Sequence, residues 1–210
     1  MTTPIFQLAL DRFSIDEAIN IAKAAEKEVD WLEIGTSLVK EFGMESVRAF
    51  RRVFPDKILL ADTKTIDNAI YEAKIAYEAG ADIITVMGCG PKVTIELVAE
   101  EARKRRKDYM IDLLNTTLDC QKELRDAFSD AVFCLHTSKD VQEHGGKKAA
   151  ANISWQGRRL ATAGGIKKET IGAIAAQLAP EVYIIGGAIT KQKDPLAAVK
   201  TLRSIVEHTA

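Results

Sequence analysis

The stretch LLADTKTID carries an apolar run into three charges, Asp62, Lys64 and Asp67. On a strand, side chains alternate, so Asp62 and Lys64 fall on the same side. At that range an ammonium holds a carboxylate ionised. Burying either charge alone would cost on the order of several kcal/mol. Other ionisable groups end neighbouring apolar runs: Asp11 closes LALD, Glu33 lies in WLEIG, Asp112 lies in YMIDLLN and His136 ends FCLH. Glu33 has apolar neighbours on both sides, so those neighbours face one layer and Glu33 the other. Each residue taken singly suits a solvated strand end. Taken together, such groups persist near a core only when paired or bound to a ligand or metal.

Two glycine pairs add a second chemistry. TAGGIKKET holds Gly164 and Gly165, and IIGGAIT holds Gly186 and Gly187, each ahead of a helical pattern. Bare backbone N–H groups at a helix start suit a phosphate. Glycine pairs also make tight turns, so either pair alone would be a weak signal.

Positioning these groups requires strands, and eight short apolar runs supply them: 6–11, 30–36, 57–64, 81–88, 109–115, 131–137, 159–165 and 182–187. They are rich in Ile, Leu, Val and Ala, as strands covered on both faces are. Helical patterns lie between them. Ser14 and Glu17 form a capping box opening a helix to about Lys27. Residues 67–79 end at Gly80, Pro91 opens 92–106, and 196–208 is an amphipathic end helix. Eight β-then-α units predict an α/β fold, a single-domain (β/α)8 TIM barrel spanning residues 1–210. An open doubly wound sheet is the alternative, but no GxGxxG follows the first strand. In a barrel the ends of strands seven and eight often hold phosphate, which fits both glycine pairs. The polar stretch 138–158 interrupts the rhythm and is either a loop over the mouth or a surface connection.

Composition limits the partners. The 210 residues carry 29 basic and 30 acidic side chains, net charge −1, so neither nucleic acid nor an anionic membrane surface is favoured. Cys89, Cys120 and Cys134 are odd in number and widely spaced, which suits a reducing cytoplasm. Neither a membrane span nor a signal peptide is expected. Cys134, His144, His208 and Trp155 read as packing or surface residues, and 103–107 as a solvated basic helix end.

The segment ADTKTID resembles the D-x-K-x-x-D pattern of the orotidine 5′-monophosphate decarboxylase superfamily. LALD, EIGT, AGADIITV, IDLLN, LHTSKD, AGGI and GGAIT extend the likeness over nearly the whole chain. They are similar to the branch holding 3-hexulose-6-phosphate synthase and 3-keto-L-gulonate-6-phosphate decarboxylase. The resemblance implies that Glu33 and Asp62 bind Mg2+ (or Mn2+), which holds a cis-enediolate. It implies that Lys64 and Asp67 belong to the charged set, with Asp67 reaching across a homodimer into the partner's site. It makes His136 the proton-transfer group, Asp11 and Asp112 part of the polar wall, and the four glycines the holders of a substrate phosphate. Asp112 and Gly187 match the synthases, which join formaldehyde to a phosphorylated ketose; the decarboxylases tend to carry Glu and Arg there. Lys139 fits neither pattern well, and Asn68-Ala69 replace the Ala-Gly usual in synthases. A non-catalytic phosphosugar binder would be expected to have lost Glu33, Asp62, Lys64 or His136, and all four are present.

Overall fold

A computed structural model gives the structure of residues 3–145 and 153–209. Its core is a closed barrel of eight parallel strands in chain order, so each strand pairs with its neighbours in sequence and β1 closes on β8. The strands are β1 (Ile5–Leu10), β2 (Trp31–Ile34), β3 (Ile58–Thr65), β4 (Ile83–Met87), β5 (Asp108–Asp112), β6 (Val132–His136), β7 (Arg159–Ala163) and β8 (Val182–Ile185). The helices are α1 (Ile15–Ala25), α2 (Thr36–Phe42), α3 (Met44–Val53), α4 (Ala69–Ala79), α5 (Lys92–Arg105) and α6 (Leu118–Ala127). Then come α7 (Lys139–His144), α8 (Lys168–Leu178), α9 (Gly187–Thr190) and α10 (Pro195–Glu207). The expected barrel is present, and every predicted strand lies within two residues of an observed one at its start.

Local chemistry explains the helix ends. Ser14 and Glu17 form the capping box of α1. Gly80 closes α4 at φ 113°, a conformation L side chains rarely adopt. Pro91 stands at the N-cap of α5 rather than inside its first turn. Part of 138–158 is helical (α7), and 146–152 lie outside the described residues, so the loop-or-lid question falls partly outside them too.

Two apolar layers result. The outer one joins strand and helix residues such as Phe6, Leu32, Phe50, Ile84, Val98 and Phe133. The inner one fills the barrel with Trp31, Leu60, Ile83, Met110, Val132, Cys134, Ala161 and Val182. Trp155 packs on Phe133, ring centroids 5.1 Å apart, as a packing residue would. Burial pushes the Cys134 thiol well up, which keeps it neutral and unreactive.

At the N-terminal rim, Arg51 binds the turns together. Its guanidinium donates to the carbonyls of Phe54, Pro55, Lys57 and Gly80 and to the Asp82 carboxylate. Arg51→Ala leaves four carbonyls short of a donor. We expect a loss of roughly 2–4 kcal/mol in denaturant titration with the mouth of the barrel undisturbed. A loss under about 0.5 kcal/mol would show that water satisfies these carbonyls equally well.

Candidate active site

All eight strands run in one direction, so everything just past their C-terminal ends meets at one rim. Asp11 follows β1, Glu33 lies in β2, Asp62 and Lys64 in β3, Asp112 ends β5 and His136 ends β6. Gly164–Gly165 follow β7, and Gly186–Gly187 follow β8 at the start of α9. The inner layer runs at alternate positions, Trp31 and Leu60 below, Glu33 and Asp62 above. The acidic residues are therefore the last inward layer before solvent.

The contacts radiate from Lys64. Its Nζ lies 2.8 and 3.1 Å from the two oxygens of Asp62 and 3.1 Å from Asp112 Oδ2. Burial works against that ammonium, but Asp62 and then Asp112 outweigh it and raise its pKa. Asp112 is buried and would be raised by burial. His136 and then Lys64 reverse this, with help from the Leu114 N–H, and hold it at about 2. An ionised carboxylate only accepts. The 2.8 Å contact from His136 Nδ1 to Asp112 Oδ2 therefore places a ring proton on Nδ1 and leaves Nε2 outside this contact.

Three residues of the segment EIGT each have a task. Glu33 is buried and accepts from the Gln7 amide. A Cβ at Gly35 would lie 2.4 Å from the Asp11 carboxyl, so only glycine lets Asp11 sit there. Thr36 donates to Asp62. Asp11 Oδ1 is held by the backbone N–H and hydroxyl of Ser37, at 3.1 and 2.9 Å.

Charge balance tests the fit of a cation. Burial first, then Asp62 and Asp11, raise the Glu33 pKa well above the ordinary carboxylate range. Lys64 is the only ammonium contacting this cluster among the described residues, and Asp62 and Asp112 share it. Among the described residues no three His, Cys, Asp or Glu side chains converge to cage an ion. Mg2+ needs no such cage: one or two carboxylates suffice, with water or substrate oxygens completing the shell. An oxygen-only pair with excess negative charge fits Mg2+ or Mn2+.

Glycine is needed where the chain turns after β7. Gly164 and Gly165 have φ of 92° and 71°. A Cβ at Gly164 would meet the Thr137 carbonyl at 2.1 Å, and one at Gly186 would stand 3.4 Å from the Ala9 carbonyl. The first N–H groups of α9 have no intrahelical acceptor.

Asp67 stands apart. It is exposed, and its Oδ1 accepts from the Asn68 N–H. Ile66, Ile70 and Tyr71 beside it are exposed too. Lys139 turns to Glu143, 3.5 Å away, which also pairs with Arg12 at 3.2 Å. Gln7 and Thr36 escaped the sequence reading. A polar residue amid the apolar run IFQLAL was the signal for Gln7.

Known proteins are similar to this chain in sequence and fold. The sequence model of the "Orotidine 5'-phosphate decarboxylase / HUMPS family" matches residues 4–202. A 3-hexulose-6-phosphate synthase of Bacillus subtilis (strain 168) is 35% identical over 206 residues, 95% of this chain and 97% of that protein. The crystal structure of 3-hexulose-6-phosphate synthase from Salmonella typhimurium superposes with a TM-score of 0.90 at 29% identity, covering 98% of this chain and 100% of that one. The 3-keto-L-gulonate-6-phosphate decarboxylase from Vibrio cholerae gives 0.86 at 27% identity, covering 100% of both.

The raised Glu33 carboxyl sets a testable sign. Its folded-state pKa lies above its unfolded value, so its contribution to stability is full below the unfolded pKa, near 4.5, and is lost as pH rises through the folded one. At pH 8 in chelator, Glu33→Gln should therefore melt higher than the parent protein. Saturating Mg2+ should raise the parent's midpoint by roughly 5–10 °C and leave the variant's unmoved. Calorimetry with and without chelator checks both. A variant that melts lower in chelator, or gains as much from Mg2+, would remove Glu33 from the cation site.

Proposed function

We propose an activity from one premise: the chain belongs to the orotidine 5'-phosphate decarboxylase / HUMPS family. Within it we assign a 3-hexulose-6-phosphate synthase reaction, the joining of formaldehyde to D-ribulose 5-phosphate and its reverse. The observation that carries the assignment is the ionised Asp112, bound at once to Lys64 and His136. It couples a base to a fixed positive charge at the mouth of the barrel. The likeness to synthases and the residues Asp112 and Gly187 support the same choice.

The residues divide the work. Gly164, Gly165, Gly186 and Gly187 present backbone N–H groups to the substrate phosphate. That anchor directs the ketose carbons toward the acidic layer. His136, acting through Nε2 in its neutral form, removes the proton from the carbon beside the carbonyl. Asp112 keeps the ring oriented and stabilises it once protonated. Lys64 faces the oxygen on which negative charge grows, already desolvated and held by two carboxylates. Glu33 and Asp62 would hold a divalent cation, which would supply Lewis acidity to the substrate oxygens. The carbanion then bonds to the formaldehyde carbon, and the new alkoxide takes up a proton.

A second reading, 3-keto-L-gulonate 6-phosphate decarboxylation, rests on Lys139, which keeps a positive charge where the decarboxylases tend to carry Arg. Its engagement with Glu143 weighs against it. The exposed Ile66, Ile70 and Tyr71 around Asp67 suit a homodimer in which Asp67 enters the partner's site. Three free thiols among the described residues suit the cytoplasm.

Two assays in Mg2+ decide between the reactions: formaldehyde consumption with D-ribulose 5-phosphate, and CO2 release from 3-keto-L-gulonate 6-phosphate. We expect the first to dominate, to stop in chelator and to fall by about 10²–10⁴ in His136→Ala. Dominant CO2 release would select the second reading, and silence in both would end the first.

A further inference from the structure

We infer that Thr85 is a positioning residue that forces β3 into the bulge from which Asp62 and Lys64 work. The register shows the bulge. From Ala61 to Thr65 the strand spends four residues, while β4 spends two from Ile84 to Val86. Lys64 sits inside it at φ 46°, in the left-handed region. For a lysine that conformation is strained and persists only where surrounding structure imposes it.

Thr85 on β4 is what faces the bulge, and it is nearly fully buried. It engages three consecutive residues. Its carbonyl accepts from the Thr63 hydroxyl at 2.8 Å. Its hydroxyl accepts from the Lys64 backbone N–H at 2.9 Å and donates to Asp62 Oδ1 at 2.7 Å. A hydroxyl has a single proton. Because the Lys64 N–H occupies one lone pair, that proton is directed at Asp62. One small side chain thus fixes the backbone of the ammonium donor and the rotamer of its carboxylate partner. Thr36 holds the other Asp62 oxygen from α2, so Asp62 is clamped from both flanks. A regular β3 would pair residue for residue with β4, and the Lys64 N–H would lose this acceptor.

Valine has the shape of threonine and favours strands, but it lacks the hydroxyl. Thr85→Val leaves the Lys64 N–H unpaired in the interior and strips Asp62 Oδ1 of one of its two donors. Thr85→Ala does the same without placing a methyl against the carboxylate. Thr85→Ser keeps the hydroxyl. The activity arm rests on the reaction proposed above. There we expect kcat to fall at least about tenfold in Thr85→Val and Thr85→Ala, and to stay within about threefold in Thr85→Ser. KM for the sugar phosphate should move by less than about threefold, because the phosphate is held by β7 and β8.

A crystal structure of the alanine and valine variants judges the inference independently of substrate. Lys64 should leave the left-handed region, or its Nζ should separate from Asp62. Should Lys64 keep its conformation and contact in both variants, Thr85 does not impose the bulge. Should a folded variant lacking the hydroxyl turn over as fast as the parent, or should serine fail to rescue, the positioning role is likewise overturned. A parent protein inactive in both assays would overturn the proposed reaction and leave the crystallographic comparison to decide this one.

Discussion

One ammonium stands among too many carboxylates. Lys64 is shared by Asp62 and Asp112, while Glu33 and Asp11 add charge that it does not contact. Everything else in the upper barrel follows from managing that imbalance. Asp112 is stabilised as an anion because Lys64 and His136 both face it. Glu33 has no such partners, and burial, then Asp62 and Asp11, push its pKa up. Such an asymmetry suits the divalent cation and oxygen-rich substrate proposed above.

The barrel makes the crowding possible. Five strands each deliver one or two polar groups to a common rim, and apolar inner residues below exclude water from beneath them. Small residues permit the close approach. Gly35 yields the space that Asp11 occupies, and Gly164 passes against the Thr137 carbonyl where no side chain fits. Hydroxyls set the orientation: Thr36 and Thr85 fix Asp62, and Ser37 fixes Asp11. The rim opposite carries structural ion pairs such as Arg51–Asp82, so stability and chemistry are placed at different ends of one sheet.

Much of this was legible in the residues alone. Short buried strands alternating with capped helices made the barrel, because Ser14, Gly80 and the apolar runs each act locally. Strand-end charges marked the rim for the same reason. The route from Asp62 to Lys64 was less legible. Alternation places them side by side, and they do touch, yet through a bulge with a left-handed lysine rather than a regular strand. The bulge is set by Thr85 of a neighbouring strand, a non-local contact that no pattern within β3 announces. Gln7 and Thr36 were missed similarly: a threonine beginning a helix looks like a routine helix start, and only the closed barrel turns it toward Asp62. Asp67 is exposed and bonds only to the neighbouring Asn68 N–H among the described residues, so the proposed role for it needs a second chain.

The direct test of the account is where a divalent cation goes. Crystals grown with Mn2+ and measured above its absorption edge should give one anomalous peak bounded by carboxylate oxygens of Glu33 and Asp62, with Mn–O distances near about 2.2 Å. A peak elsewhere on the protein, or none at millimolar Mn2+ with both carboxylates ordered, would mean that the acidic layer is balanced by protons and Lys64 alone.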